Sequence, residues 1–163
     1  MTKFKNICGA LEKILLIIIG IFAGIMIIIT TVEVVRRYIF SASFQWAEEL
    51  SRYLMVGVAF LGGSIGYRKK NLIPLDLVTG KLPPKVQLIL ELVMEIISAA
   101  ILALLFYLSM NSVLSPVVYK QKSIGFPISM AIPFSAMPIG FGCMLIFAFE
   151  HFMDMVKKIK EVK

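Results

Sequence analysis

The chain has 163 residues, 59% of them hydrophobic and 17% charged, with a formal net charge of +7 and a mean hydropathy of +0.89. This composition leaves too little polar surface to cover a water-soluble globule, so a bilayer must do much of the solvating. The positive charge does not indicate nucleic acid, because the cations are not gathered into a groove-tracking patch with aromatic partners.

Charge-free runs at residues 14–32, 96–119 and 123–149 are each long enough, at ~1.5 Å per residue, to span ~30 Å of hydrocarbon. A fourth run, 53–67, covers only about 22 Å, so its helix must recruit residues 46–52 to cross. The pattern predicts an all-α integral membrane protein, one four-helix domain over 1–163. Its transmembrane helices are expected over about 11–38, 45–67, 84–115 and 132–154, with a cytoplasmic loop at 68–83. With the N-terminus inside, Lys3, Lys5, Lys13, Arg68, Lys69, Lys70, Lys81, Lys85, Lys157, Lys158, Lys160 and Lys163 face the cytoplasm. Only Arg36, Arg37, Lys120 and Lys122 are left outside, with Arg52 inside the entry to helix 2, a positive-inside bias that places both termini in the cytoplasm.

The first apolar run follows a basic segment but is longer than a signal core and has no small-x-small cleavage site after it. It reads as a retained helix. Gly20 and Gly24 give it a G-x-x-x-G spacing, for which packing inside the chain's own bundle is favoured over contact with another protein. In the outer linker at 40–44, Ser41 and Ser43 are available to cap helix 2. Trp46 stands where an interfacial aromatic belongs. Helix 2 continues through Gly57, Ala59, Gly62, Gly63 and Gly66, small residues that predict tight helix contacts.

In the inner loop, residues 72–78 are apolar enough to lie along the headgroup boundary, and Pro83 and Pro84 suit the first turn of helix 3. Glu91 and Glu95 share one face of that helix; near the interface they are expected to meet Lys85 and water rather than to form an ion site. Pro127, Pro133 and Pro138 delay helix 4, whose continuous part is expected to begin near Pro133 with a bend at Pro138. Cys8, on the cytoplasmic tail, and Cys143, within the last helix, are separated in depth, so no disulfide is expected. His151 is the only histidine and cannot supply paired haem ligands. No phosphate-cradling loop, H-E-x-x-H, Cys-x-x-Cys or serine elbow is present; no catalytic or metal-binding residue, cofactor or enzymatic activity is expected. No internal duplication is visible, although transporters that build a midplane substrate site usually do so from repeats.

The most informative constellation joins the end of helix 1, with Glu33, Arg36 and Arg37, to the start of helix 2, with Trp46, Glu48, Glu49 and Arg52. The topology places both at the outer membrane level. Glu33 reaches Arg36 and Arg37 at i+3 and i+4, and Glu48 reaches Arg52 at i+4. Charges drawn below the headgroups must be paired. An internal cluster fixing helix 1 against helix 2 and a contact with a partner membrane protein both fit.

These residues resemble the small membrane subunit of tripartite ATP-independent periplasmic (TRAP) transporters, the DctQ-like family. The resemblance rests on Glu33-x-x-Arg36-Arg37-Tyr38-x-Phe40, Trp46-x-Glu48-Glu49-x-x-Arg52-Tyr53, Phe60-Leu61-Gly62, Leu75-Asp76-Leu77, Leu82-Pro83 and Pro138-Ile139-Gly140. It covers about residues 10–155. Relatives often carry a His shortly before the position of Asp76, where this chain has Asn71 and Leu72, so no role of that His carries over. The resemblance implies a non-catalytic subunit in the bacterial inner membrane. It would brace a large multi-helix subunit that performs sodium-coupled symport of organic acids, such as dicarboxylates or sialic acids. A periplasmic binding protein would deliver the substrate, and membrane lipid could lie between the subunits. The competing expectation is a self-contained four-helix channel or an anchor subunit of a redox complex.

Overall fold

The computed structural model describes residues 2–41, 44–69, 84–123, 125 and 128–161. Among them the secondary structure is helical apart from one isolated antiparallel bridge, Lys122 to Ser129. The helices are α1 (Thr2–Phe40), α2 (Gln45–Arg68), α3 (Pro84–Leu114), the short α4 (Pro116–Lys120) and α5 (Ala131–Phe134), and α6 (Ala136–Glu161). The stretch 72–78, with Lys70, Lys81, Pro83 and Pro127, lies outside the described residues.

Helix α1 begins at Thr2 rather than near Leu11, because its first turns have something to bury. Cys8 is fully enclosed, and Phe4 and Leu11 pack against the same cluster. Cys8 therefore belongs to the bundle rather than to a tail, and it shares that cluster with Cys143; both thiols are free. Helix α3 stops at Leu114 because Pro116 forces Ser115 out of helical geometry, to φ −63° and ψ 136°. Ser115 then caps α4, accepting from the Val118 N–H at 3.4 Å. Between α5 and α6, Ser135 keeps right-handed helical geometry, φ −62° and ψ −20°, and the Ser135 and Ile139 N–H groups still reach back four residues, to Ala131 O and Ser135 O. Pro138 has no N–H to offer the Phe134 carbonyl, so one bond of the ladder is missing at the start of α6.

Among the described residues, the segments Phe4–Phe40, Ile89–Leu114 and Ala131–Lys157 are long and apolar enough to cross a membrane. Helix α2, carrying Glu48, Glu49, Arg52 and Arg68, is not one of them. Its position explains its composition. Helix α2 packs extensively against both α1 and α6, α3 packs against α6, and α1 touches α6 only slightly. The helices thus stand in the order α1, α2, α6, α3, with α2 inside the row, where helix rather than lipid covers much of its surface.

Close approach within this row occurs at glycines. A methyl group added at Gly57 would lie 2.8 Å from the Phe22 ring, at Gly63 3.1 Å from Met144, and at Gly140 2.8 Å from Phe60 Cβ and 3.0 Å from its carbonyl oxygen. At Gly20, Gly24 and Gly62 an added methyl group would meet nothing among the described residues within 4 Å. The in-bundle packing expected of the Gly20–Gly24 spacing is therefore made elsewhere, and that pair opens onto the surroundings of the chain. Gly66 is half-buried. The apolar cluster of Cys8, Leu15, Leu61, Ile65, Cys143 and Phe147 sits where α1, α2 and α6 converge toward Arg68.

Gly140→Ala forces a methyl group into backbone and is expected to destabilise the isolated chain by about 1–3 kcal/mol. Gly20→Ala should leave its melting temperature in detergent unchanged; thermal unfolding of both variants, followed by circular dichroism, checks the contrast.

Candidate functional site

Polar side chains gather at both ends of α2. At its N-terminal end Glu33 reaches across from α1 and accepts from the Phe44 N–H, at 3.0 Å to Oε1 and 3.2 Å to Oε2. Phe44 is the N-cap and makes no side-chain cap bond. Ser41 turns the chain with φ 48°, Ser43 lies outside the described residues, and a carboxylate from the neighbouring helix ties the turn in place of the expected serine cap. The Arg36 guanidinium lies 3.5 Å over the centre of the Phe44 ring, a cation–π contact worth about 0.5–2 kcal/mol. Phe44 also packs on Trp46, with ring centroids 5.2 Å apart.

Glu48 and Arg52 pair at 3.0 Å on an exposed face, with side chains 80% and 68% accessible. Glu49 turns the other way. It accepts from the Gly125 N–H at 2.6 Å and from the Tyr53 hydroxyl, while the Tyr53 oxygen lies 3.2 Å from Met130 Sδ. A methyl group at Gly125 would stand 2.6 Å from Trp46 Cα, so only glycine lets this segment reach Glu49. The segment leading to α5 closes on itself through Ser123 N–H to Ile128 O at 3.0 Å and Met130 N–H to Gln121 O at 2.9 Å. Between α1 and α2 a cleft of about 220 Å³ is lined by Thr30, Glu33, Val34, Arg37, Ala47, Glu48 and Ser51. Ser51 Oγ and Arg36 Nε are enclosed and have no hydrogen-bond partner among the described residues.

At the other end stands a denser assembly. Arg68, only 16% accessible, donates from Nε to Glu150 Oε2 at 2.9 Å and from Nη2 to Glu150 Oε1 at 3.1 Å; Nη1 donates to Glu12. Lys69 adds a 3.3 Å contact to Glu12, and Lys5 pairs with Asp154 at 2.6 Å. His151 lies 2.8 Å from the Arg68 carbonyl through Nε2 and 3.5 Å from Glu95 Oε1 through Nδ1. Tyr67 donates to the same Glu95 oxygen at 2.9 Å and stacks on the His151 ring at 5.6 Å. Glu95 is therefore enclosed, its side chain 11% accessible, rather than meeting water as expected, and the Lys85 side chain lies outside the described residues. Arg68 is likewise no loop cation but the junction of three helices. Sequence spacing could not join residues 56 and 82 positions apart. The available signal was charge embedded among apolar neighbours, Glu12 in α1 and Glu150 in α6, which demands a partner.

Among the described residues no three His, Cys, Asp or Glu side chains are placed to hold a metal ion. These features define a polytopic helical membrane protein whose polar groups are spent largely on one another. A model of the DctQ component of tripartite ATP-independent periplasmic transporters matches residues 26–158, and the chain belongs to that family. It is 24% identical over 136 residues to the isethionate TRAP transporter permease protein DctMQ of Oleidesulfovibrio alaskensis, covering 80% of this chain and 21% of that one. It is 30% identical over 91 residues to a putative TRAP transporter small permease protein of Haemophilus influenzae, covering 56% of each. The chain thus spans about a fifth of the first relative and just over half of the second.

Arg68→Ala leaves Glu150 and Glu12 without their shared cation and should cost about 3–5 kcal/mol, as for other broken buried pairs. Arg68→Lys recovers only part, because an ammonium cannot reproduce the forked contact; denaturant unfolding in micelles measures both. At the opposite end Glu49→Ala, which strands the Gly125 N–H, should cost about 1–3 kcal/mol. Arg52→Ala, losing an exposed pair, should cost about 0.5 kcal/mol or less.

Proposed function

We propose that the chain is the small, non-catalytic membrane subunit of a TRAP transporter in the bacterial inner membrane. It braces the scaffold of a large multi-helix subunit that carries out sodium-coupled uptake of an organic acid delivered by a periplasmic binding protein. In this reading α2 crosses the bilayer as a fourth span, lifted above its own hydropathy by α1 and α6 on either side, and both termini face the cytoplasm. Glu33, Arg36, Arg37, Trp46, Glu48, Glu49 and Arg52 then form the outer end, available to the large subunit.

The observation that carries the proposal is the row of helices. Its flanking members present long apolar faces, including Ile17, Ile21 and Ile28 on α1 and Ile97, Ile101 and Leu104 on α3, to whatever surrounds the chain. The open Gly20–Gly24 surface allows close approach of another helix. The name of the DctMQ relative supports a working unit in which small and large parts act together. Its isethionate, an organic anion, supports substrates of that general kind; the dicarboxylate or sialic acid class belongs to the proposal.

Affinity-tagged chain, extracted in mild detergent from cells that also make the neighbouring membrane subunit, should bring that polytopic partner with it. Deleting the chain should abolish organic-acid uptake, and the chain alone in liposomes should give no solute flux. Uptake that survives the deletion, or flux through the solitary chain, defeats the proposal.

A further inference from the structure

Helices α3 and α6 touch at two levels and part between them. At one level Glu95 of α3 accepts from Tyr67 and lies beside His151 of α6. At the other the Phe106 ring rests on Gly142, 3.4 Å from where a methyl group there would stand. From Glu95 to Phe106 helix α3 rises about 16 Å. Along part of that length the helices leave a groove of about 320 Å³. Ile96 and Ala99 line one wall and Ala148, Phe149 and Phe152 the other, with Glu95 at the end nearer His151. Alanine at 99 and 148 leaves the gap unfilled, and the exposure of Ile96 and Phe149, 52% and 55%, opens it sideways from the bundle.

Three features bear on what fills this groove. Both walls belong to segments apolar enough to cross a membrane, so the opening faces acyl chains rather than water. The lining offers one polar side chain, Glu95, too few partners to hold ordered water, and apolar walls left bare forfeit the contacts of close packing. A further helix, about 10 Å across, is too wide for a slot whose walls meet at both ends, whereas an extended hydrocarbon chain is not. The polar end also lies at the depth of a lipid head. The charge-free runs 14–32, 96–119 and 123–149 stop here together, at Lys13, Glu95 and Glu150. A lipid whose tail enters the groove has its head beside a carboxylate, which has lone pairs for more than one donor and bonds most strongly to a cationic one.

We propose that the groove between α3 and α6 is a lipid-binding site that takes one acyl chain of a phospholipid with a primary ammonium in its head group, from the leaflet on the Arg68 side. The tail lies along Ala99 and Ala148 toward Phe106, and the ammonium donates to the Glu95 carboxylate. The site is formed within this chain and needs no second subunit.

The full chain in lipid nanodiscs tests this with trace phosphatidylethanolamine carrying a photoreactive diazirine on one acyl chain, and with phosphatidylcholine carrying the same group. After irradiation, adducts of the ethanolamine lipid are expected on residues 96–106 and 142–152, and excess unlabelled phosphatidylethanolamine should suppress them. Adducts on the exposed Ile17 and Ile21 of α1 report passing lipid and should not saturate. Phosphatidylcholine, with no N–H to donate, should label the groove about threefold less, and Glu95→Gln should remove most of that preference. Ala99→Phe, which places a ring in the groove, should lower its labelling to that of the α1 face. Labelling that does not saturate, that is equal for the two lipids, or that persists in Ala99→Phe overturns the proposal. So does loss of groove labelling when the chain is prepared with its neighbouring membrane subunit, the mark of a protein occupant.

Discussion

Arg68 holds the architecture together. A guanidinium withdrawn from water is costly unless its donors are satisfied, and here a forked contact to Glu150 of α6 and a third bond to Glu12 of α1 satisfy it from two directions. The residue ends α2, where helix carbonyls lack intrahelical partners, and its own carbonyl is met by His151. One side chain and its backbone thus connect three helices. The apolar cluster beneath follows from the same placement, with Phe147, fully buried, 5.3 Å below the guanidinium. The ion pairs fix which faces of α1, α2 and α6 converge, and the apolar packing supplies the contact area.

That convergence also accounts for the uneven composition of the helices. Helices α1 and α3 flank the row and can be aliphatic through their charge-free middle stretches, because lipid or another subunit is an apolar neighbour for either. Helix α2 lies inside and can carry small residues at Gly57 and Gly63, against which Phe22 and Met144 fit from opposite sides. Its charged ends are tolerated because each finds partners on other elements: Glu49 at Gly125, Arg68 at Glu150 and Glu12. Both ends use carboxylates to join segments distant in sequence, with backbone N–H groups as the donors at one end and a guanidinium at the other.

The apolar spans could be read from sequence because a run of uncharged residues is a local property, and so was the likeness carried by Glu33 to Tyr53. Hydropathy describes a helix in isolation and so leaves α2 below the threshold of a membrane span, whereas in the bundle its neighbours shield it. The Gly20–Gly24 spacing identified a place for close approach without saying to what, and the close contacts inside the chain fall instead at Gly57, Gly63 and Gly140. The enclosure of Glu95 is hidden from the sequence for a related reason. Depth near the interface predicts water, but Tyr67 and His151 arrive from two other helices to cover it. Embedded charge at Glu12 and Glu150 demands partners, but which residues pair across 56 and 82 positions depends on which helices become neighbours, and side-chain periodicity within one helix carries no such information.

The single-file order of helices has a mechanical consequence. Rods set side by side at about 8–10 Å form a palisade: broad in the membrane plane, thin across, and fastened at one edge by the Arg68 junction. Such a panel encloses little volume for a passenger, yet it lengthens the perimeter of anything it joins and resists being rotated through lipid.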